Sequence, residues 1–232
     1  MSREYAVPPP PAVELAIEGS ARAFPVHRIY CVGRNYADHV REMGSDPRSE
    51  PPIFFSKPAD ALVPSGTDVP YPPRTQNLHH EIELVVALGR GGRDVPVVDA
   101  PALVFGYAVG NDLTRRDLQA AAKKAGQPWD VAKGFDASAP VSPLRLAAET
   151  GPLSRGRIWL EVNGVLRQQA DIADMIWSVP EIIAELSTYF ELKPGDLIFT
   201  GTPAGVGALL PGDRIRGGVD GVGTLEHGIV AP

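Results

Sequence analysis

A chain of 232 residues with 44% hydrophobic and 22% charged residues has the balance of an ordinary globular protein, enough for one large domain or two small ones. A formal net charge of −6, with no basic tract and no stripe of Lys and Arg interleaved with aromatics, argues against nucleic acid as a partner. The 24 glycines and 24 prolines argue against a helical bundle and for short strands joined by tight loops, while the single cysteine, Cys31, allows no internal disulfide and suits a reducing compartment.

Taken in chain order, the first residues carry the run Pro8-Pro9-Pro10-Pro11 and neither the basic nor the apolar part of a signal peptide. No segment approaches the roughly 18 apolar residues of a membrane helix. A cytoplasmic protein with no membrane partner is therefore expected. Residues 1–25 read as a proline-rich lead and 26–232 as a single domain. Arg28 to Gly33 reads as a short buried strand, and Asn35 to Gly44 as a short polar helix stopped by Gly44. Residues 45 to 75 read as a long irregular stretch crowded with proline, a length that is usually functional.

The strongest strand signal is His80 to Leu88, which passes from alternation into a continuous apolar run, as if one end faced a cleft. Val104 to Leu113 is a second strand ending near Asp112. Thr114-Arg115-Arg116-Asp117 has the form of a capping box, with a helix to about Ala125. Arg157 to Gln169 reads as a hairpin about Asn163-Gly164, and Ser178-Val179-Pro180-Glu181 opens a capped helix to Phe190. Lys193 to Asp196 turns into the strand Leu197 to Gly201, and Gly-rich strands from Asp213 to Ile229 complete a predominantly β, α+β chain.

Chemistry concentrates in a few of these segments. Glu81 and Glu83, two apart on a strand, point to one face. Two carboxylates so placed call for a cation between them, and Mg²⁺ accepts such oxygens; a solvated strand face is the competing explanation. Asp112, at the end of the second strand, can complete a set of three oxygen ligands, with a helix cap as its alternative role. No Cys/His cluster has zinc spacing, which favours an oxygen-loving metal. His39 and Glu42 are neighbours on a helix face, so Glu42 can raise the basicity of the imidazole, although surface pairs of this kind are common. Lys133, among apolar and aromatic neighbours, either pairs with a carboxylate or contacts an anion. The loop Thr200-Gly201-Thr202-Pro203-Ala204-Gly205-Val206-Gly207 lacks the ending of a phosphate loop. Its glycines instead allow backbone N–H groups and Thr202 to approach a small anion.

These segments together resemble the fumarylacetoacetate hydrolase family. The matching stretches are Gly33-Arg34-Asn35-Tyr36 with His39, Lys57-Pro58, Asn77 to Glu83, Asp112-Leu113-Thr114 with Arg116-Asp117, Ala132 to Asp136, and Thr200 to Gly207, in family order from about residue 28 onward. The resemblance implies a mixed β-roll with a few short helices, a homodimer, and Mg²⁺ or Mn²⁺ held by Glu81, Glu83 and Asp112. It also implies a water-activating dyad of His39 and Glu42, with Lys133, Gln119 and Thr202 contacting a small 2-oxo or diketo acid. Arg34 or Arg74 is a candidate partner for a distal carboxylate. The activity implied is metal-dependent cleavage of a carbon–carbon bond in an acylpyruvate such as fumarylpyruvate, as in gentisate-type aromatic degradation. Oxaloacetate decarboxylation and isomerisation or hydration of 2-hydroxy-dienoates are the alternatives for the same site.

Overall fold

The alternating run around Leu84 builds the centre of the molecule. Ile82–Leu88 pairs antiparallel with Val104–Asn111, and the seven residues of Ile82–Leu88 are all buried. One face of this strand, Ile82, Leu84, Val86 and Leu88, joins the main apolar core; Val85 and Ala87 on the other face join a second core. Burial on both faces explains why the sequence reads as a continuous apolar run rather than a clean alternation. Glu81 and Glu83 share the parity of Val85 and Ala87, so both carboxylates stand on the face of the second core, at its open end.

This computed structural model describes residues 5–36 and 51–232. Around the central pair lies an eight-stranded mixed sheet, in the order Ile53–Lys57, Ile29–Gly33, Leu197–Phe199, Ile82–Leu88, Val104–Asn111, Ala139–Val141, Leu62–Pro64, with Arg145–Leu146 added on Val104–Asn111. Leu197–Phe199 runs parallel to Ile29–Gly33, and Ala139–Val141 parallel to Leu62–Pro64. A five-stranded sheet, Val165–Asp171, Arg157–Val162, Arg214–Val219, Gly223–Val230 and Val69–Pro70, covers the main core. Helix Val179–Tyr189 adds Ile182, Ile183 and Leu186 to that core. The chain is thus a mixed β-roll with a few short helices, as the family resemblance implies.

Local chemistry accounts for most boundaries. Asn163 and Gly164, at φ 53° and 76°, supply the two left-handed residues of the tight turn between Arg157–Val162 and Val165–Asp171. The backbone N–H and hydroxyl of Ser178 both donate to Glu181, closing the expected capping box. Glu14–Ala16 and Ala23–Pro25 form a hairpin that buries Leu15 and Phe24 in the second core, so the stretch 1–25 contributes to the packing.

Two expectations change. From residue 51 the proline-rich stretch is not irregular: it holds the strands Ile53–Lys57, Leu62–Pro64 and Val69–Pro70. Its prolines flank or terminate these strands, where a missing N–H costs no ladder bond. Thr114 does not cap the following helix. It pairs with His79 in a short strand and donates its hydroxyl to the Asp112 carbonyl, and the helix Arg116–Ala125 begins two residues later. Asp117 instead accepts from Thr75 and the Gln76 N–H, tying the helix start to the preceding loop. The helix read over Asn35 to Gly44 lies mostly outside the described residues.

Candidate active site

Where Ile82–Leu88 and Val104–Asn111 end side by side, Glu81 leaves the regular ladder. Its carbonyl accepts from the Asp112 N–H at 2.8 Å, while its own N–H donates to the side-chain oxygen of Asn111 at 2.8 Å. That exchange brings Asp112 beside the two glutamates. Carboxylate oxygens of Glu81, Glu83 and Asp112 all lie within 4.8 Å of one another, and all three residues are buried. Asn111 is held from behind by donating to Nε2 of His227 at 3.0 Å, which requires that nitrogen to be bare. Burial pulls the His227 pKa down to about 4, so the ring is neutral and can accept. Asn111→Leu therefore removes the hydrogen bonds that Asn111 makes to the Glu81 N–H and to His227 Nε2, at about 1–3 kcal/mol for each buried group. An unfolding free energy lowered by at least about 2 kcal/mol in denaturant titration is expected; an unchanged midpoint would remove Asn111 from the scaffold of the site.

Three buried acids demand positive charge, and the chain supplies it. Lys133 Nζ sits 2.8 Å from Glu81 Oε2 and 2.5 Å from Asp112 Oδ2. Lys57 Nζ lies 2.7 Å from Asp112 Oδ1, and Arg116 pairs with Glu81 Oε1. Among the described residues Glu83 receives no ammonium; its Oε2 accepts the Gly201 N–H at 2.7 Å. Gly201 has φ +97°, and a Cβ there would fall 2.7 Å from that of Asn35, so only glycine presents this N–H without displacing its neighbours. Burial pushes the Glu83 carboxyl well above the usual carboxylate range, and the charges of Asp112 and Glu81 push the same way. For Lys133, burial works to lower the pKa, but the carboxylates of Asp112 and Glu81 outweigh it and raise it, so the ammonium stays charged.

Among the described residues the donors around this point are oxygens, which suits a hard cation such as Mg²⁺ or Mn²⁺ rather than zinc. Each carboxylate oxygen engaged by a lysine, arginine or backbone N–H keeps a further lone-pair direction. The site therefore fits a divalent ion in its chemistry, and Glu83 is the acid in greatest need of one.

A cleft opens beside the triad. Arg34, Gln119 and Thr202, singled out from the sequence, line it together with Glu81, Glu83 and Lys133. Gln119 accepts from Arg116 at 2.6 Å. His39 and Glu42 lie outside the described residues. Asn35 donates to the carbonyls of Thr200 and Trp177 and accepts the Trp177 N–H. Arg74 is not among the residues lining the cleft. Sequence reasoning missed the roles of Lys57, Arg116, Lys123 and Gln168. Lys57 and Arg116 stood inside recognisable stretches but had no visible partner, and Gln168 is a single polar residue at an inward strand position. In the Gly-rich loop the Gly201 N–H is engaged by Glu83, while Thr202 lines the cleft.

The chain thus places a buried carboxylate triad that could hold a divalent ion on a mixed β-roll, bridged by Lys133 at the edge of a cleft lined by arginine and lysine. The C-terminal-domain model of fumarylacetoacetate hydrolase matches residues 28–230, and the chain belongs to the fumarylacetoacetate hydrolase family. It is similar to the fumarylpyruvate hydrolase of Pseudomonas aeruginosa, solved in complex with Mn²⁺ and pyruvate, with 52% identity, a TM-score of 0.97 and coverage of 99% of this chain and 100% of that one. It is 46% identical to the fumarylpyruvate hydrolase of a Ralstonia species over 181 residues, 78% of this chain and 94% of the relative. It is also 50% identical over 198 residues to the mitochondrial oxaloacetate tautomerase FAHD1 of Rattus norvegicus, 85% of this chain and 89% of the relative. Among the described residues, no helix is long and apolar enough to cross a membrane.

Proposed function

We propose that the protein is a Mg²⁺- or Mn²⁺-dependent hydrolase that cleaves fumarylpyruvate, or a close acylpyruvate, to a carboxylic acid and pyruvate. The observation that carries this reading is the charge layout of the cleft. Three acids and Lys133 occupy its floor, while Arg34, Arg116 and Lys123 supply positive charge along its wall. Lys123 is itself pulled below the ordinary lysine range, by burial first and then by the charges of Arg34 and Arg116. Such a wall favours a substrate carrying two carboxylates.

Glu81, Glu83 and Asp112 would hold the metal, which when bound supplies Lewis-acid stabilisation of the negative charge on the departing enolate. Lys133 keeps one N–H beyond the two engaged by Glu81 and Asp112, and this proton is available to an oxygen of the 2-oxo acid end. His39, oriented by Glu42, takes a proton from the water that attacks the distal carbonyl, and later returns one to the leaving carbon. Arg116 fixes Glu81 and Gln119 at once, so the metal-holding strand and the substrate wall keep one spacing.

The likeness to an oxaloacetate tautomerase supports a second reading, enol–keto interconversion or decarboxylation of oxaloacetate on the same residues. Neither reaction needs an attacking water. Turnover of fumarylpyruvate and of oxaloacetate is therefore to be measured side by side, with Mn²⁺ present and then removed by chelator, following pyruvate release and loss of the enol absorbance. Fumarate and pyruvate formed faster than oxaloacetate is consumed, and only with metal, is the expected result. Preference for oxaloacetate would move the assignment to the second reading.

A further inference from the structure

Gln168 lies on the edge strand of the five-stranded sheet and is buried, although its neighbours along Val165–Asp171 face outward or are only partly covered. All four hydrogen-bonding positions of its amide are filled. Its Oε1 accepts the Ile82 N–H at 3.1 Å and bonds His80 Nδ1 at 2.8 Å, and its Nε2 donates to Thr202 Oγ1 at 2.8 Å and to the Pro203 carbonyl at 2.9 Å. The orientation of the amide follows from its partners. A backbone N–H can only donate and a carbonyl can only accept, so oxygen faces Ile82 and nitrogen faces Pro203. His80 Nδ1 must then carry a proton, which agrees with a neutral ring whose pKa is lowered by burial.

The consequence falls on Thr202. Its oxygen receives a hydrogen bond from Gln168, so its own proton cannot return along that contact. Among the described residues nothing accepts that proton, yet Thr202 is buried and lines the cleft beside Glu83 and Lys133. Gly205 seats the loop closely on the strand: a Cβ there would meet the Arg167 carbonyl at 2.3 Å. The loop therefore has little room to turn the hydroxyl elsewhere.

We propose that Gln168 is a positioning residue, which fixes the Thr202 hydroxyl as a hydrogen-bond donor to an oxygen of the bound 2-oxo acid. This deepens the hydrolase reading and rests on it for the identity of the substrate. Through Ile82, between Glu81 and Glu83, the same amide keeps that donor in register with the acid strand.

The test compares wild type, Gln168→Glu, Thr202→Val and the double variant. An introduced carboxylate, when ionised, only accepts, so it draws the Thr202 proton away from the cleft; when protonated it can donate as glutamine does. Each single variant is expected to lower kcat and to weaken pyruvate binding to the Mn²⁺-loaded protein by about 10- to 100-fold, the worth of one hydrogen bond to a charged group. Mn²⁺ affinity should stay within about threefold of wild type, since neither residue carries a metal-facing charge. The double variant should be no worse than Thr202→Val, and the deficit of Gln168→Glu should shrink as the pH is lowered. Additive losses, or a deficit that does not change with pH, would overturn the proposal. If Gln168→Glu does not fold, Gln168→Met removes the donor without adding charge, and the non-additivity with Thr202→Val still decides. If wild type turns over neither fumarylpyruvate nor oxaloacetate, the functional reading fails, and the pyruvate titrations alone decide the role of Gln168.

Discussion

Glu83→Gln is expected to lower turnover by about 10²- to 10⁴-fold, since metal stabilisation of a developing anion is worth several kcal/mol. The substitution preserves shape, and the glutamine oxygen can still accept the Gly201 N–H. What changes is that an amide donor faces the place where a cation needs an acceptor. Its effect on stability has two opposite signs. In chelator the variant should be more stable than wild type, because burial and the charges of Asp112 and Glu81 raise the Glu83 pKa. A carboxyl whose folded pKa exceeds its unfolded value costs stability at every pH above the unfolded value, and glutamine removes that cost. With Mn²⁺ the order reverses. A cation at a hundred times its Kd adds about 2.7 kcal/mol to wild type, or roughly 5–10 °C of Tm for a chain of this size. The variant should gain little of this. Thermal unfolding in chelator and in Mn²⁺ reads both signs, and a full Mn²⁺-induced rise in the variant would take Glu83 out of the metal set.

The sequence made the acids legible because strand periodicity is a strong local signal. Glu81 and Glu83 fall two apart at the head of an apolar run, and Asp112 falls where the next strand must end. The partners of those acids were harder to see. Lys57, Arg116 and Lys133 come from three separate segments, and only the pairing of sheet and helix brings their cations together. Asn111 is the clearest case. In sequence it is a polar residue at the end of a strand; in the fold its side chain takes the Glu81 N–H in place of a ladder bond. The same limit explains the misread cap. Thr114 and Asp117 have capping-box spacing, but His79 across a strand pair and Thr75 offer them partners that local spacing cannot reveal. Strand pairing with His79 and the bond from Thr75, 42 residues away, overruled local propensity there, and they did so at the site.

Lys133→Met should be the mirror image of Glu83→Gln in chelator and its companion in turnover. The ammonium bridges Glu81 and Asp112 over the Phe55 ring, at 4.9 Å from the ring centre. Its removal leaves, among the described residues, Lys57 and Arg116 as the cations paired with these buried carboxylates. Breaking a buried pair in this way costs about 3–5 kcal/mol, here a Tm drop on the order of 10 °C. Mn²⁺ should recover much of that loss, since a divalent ion among the acids restores the missing charge. Turnover should remain about 10²- to 10³-fold low even when metal is saturating, because a donor to the developing oxyanion is gone. Undiminished Tm in chelator would show that the triad does not depend on this ammonium, and full turnover in Mn²⁺ would remove it from the chemistry. A general loss of folding cannot mimic the pattern, because it would lower Tm in both variants. Charge balance makes one more demand: Glu83→Gln with Lys133→Met leaves two acids facing two cations, so the double variant should recover stability in chelator while staying inactive.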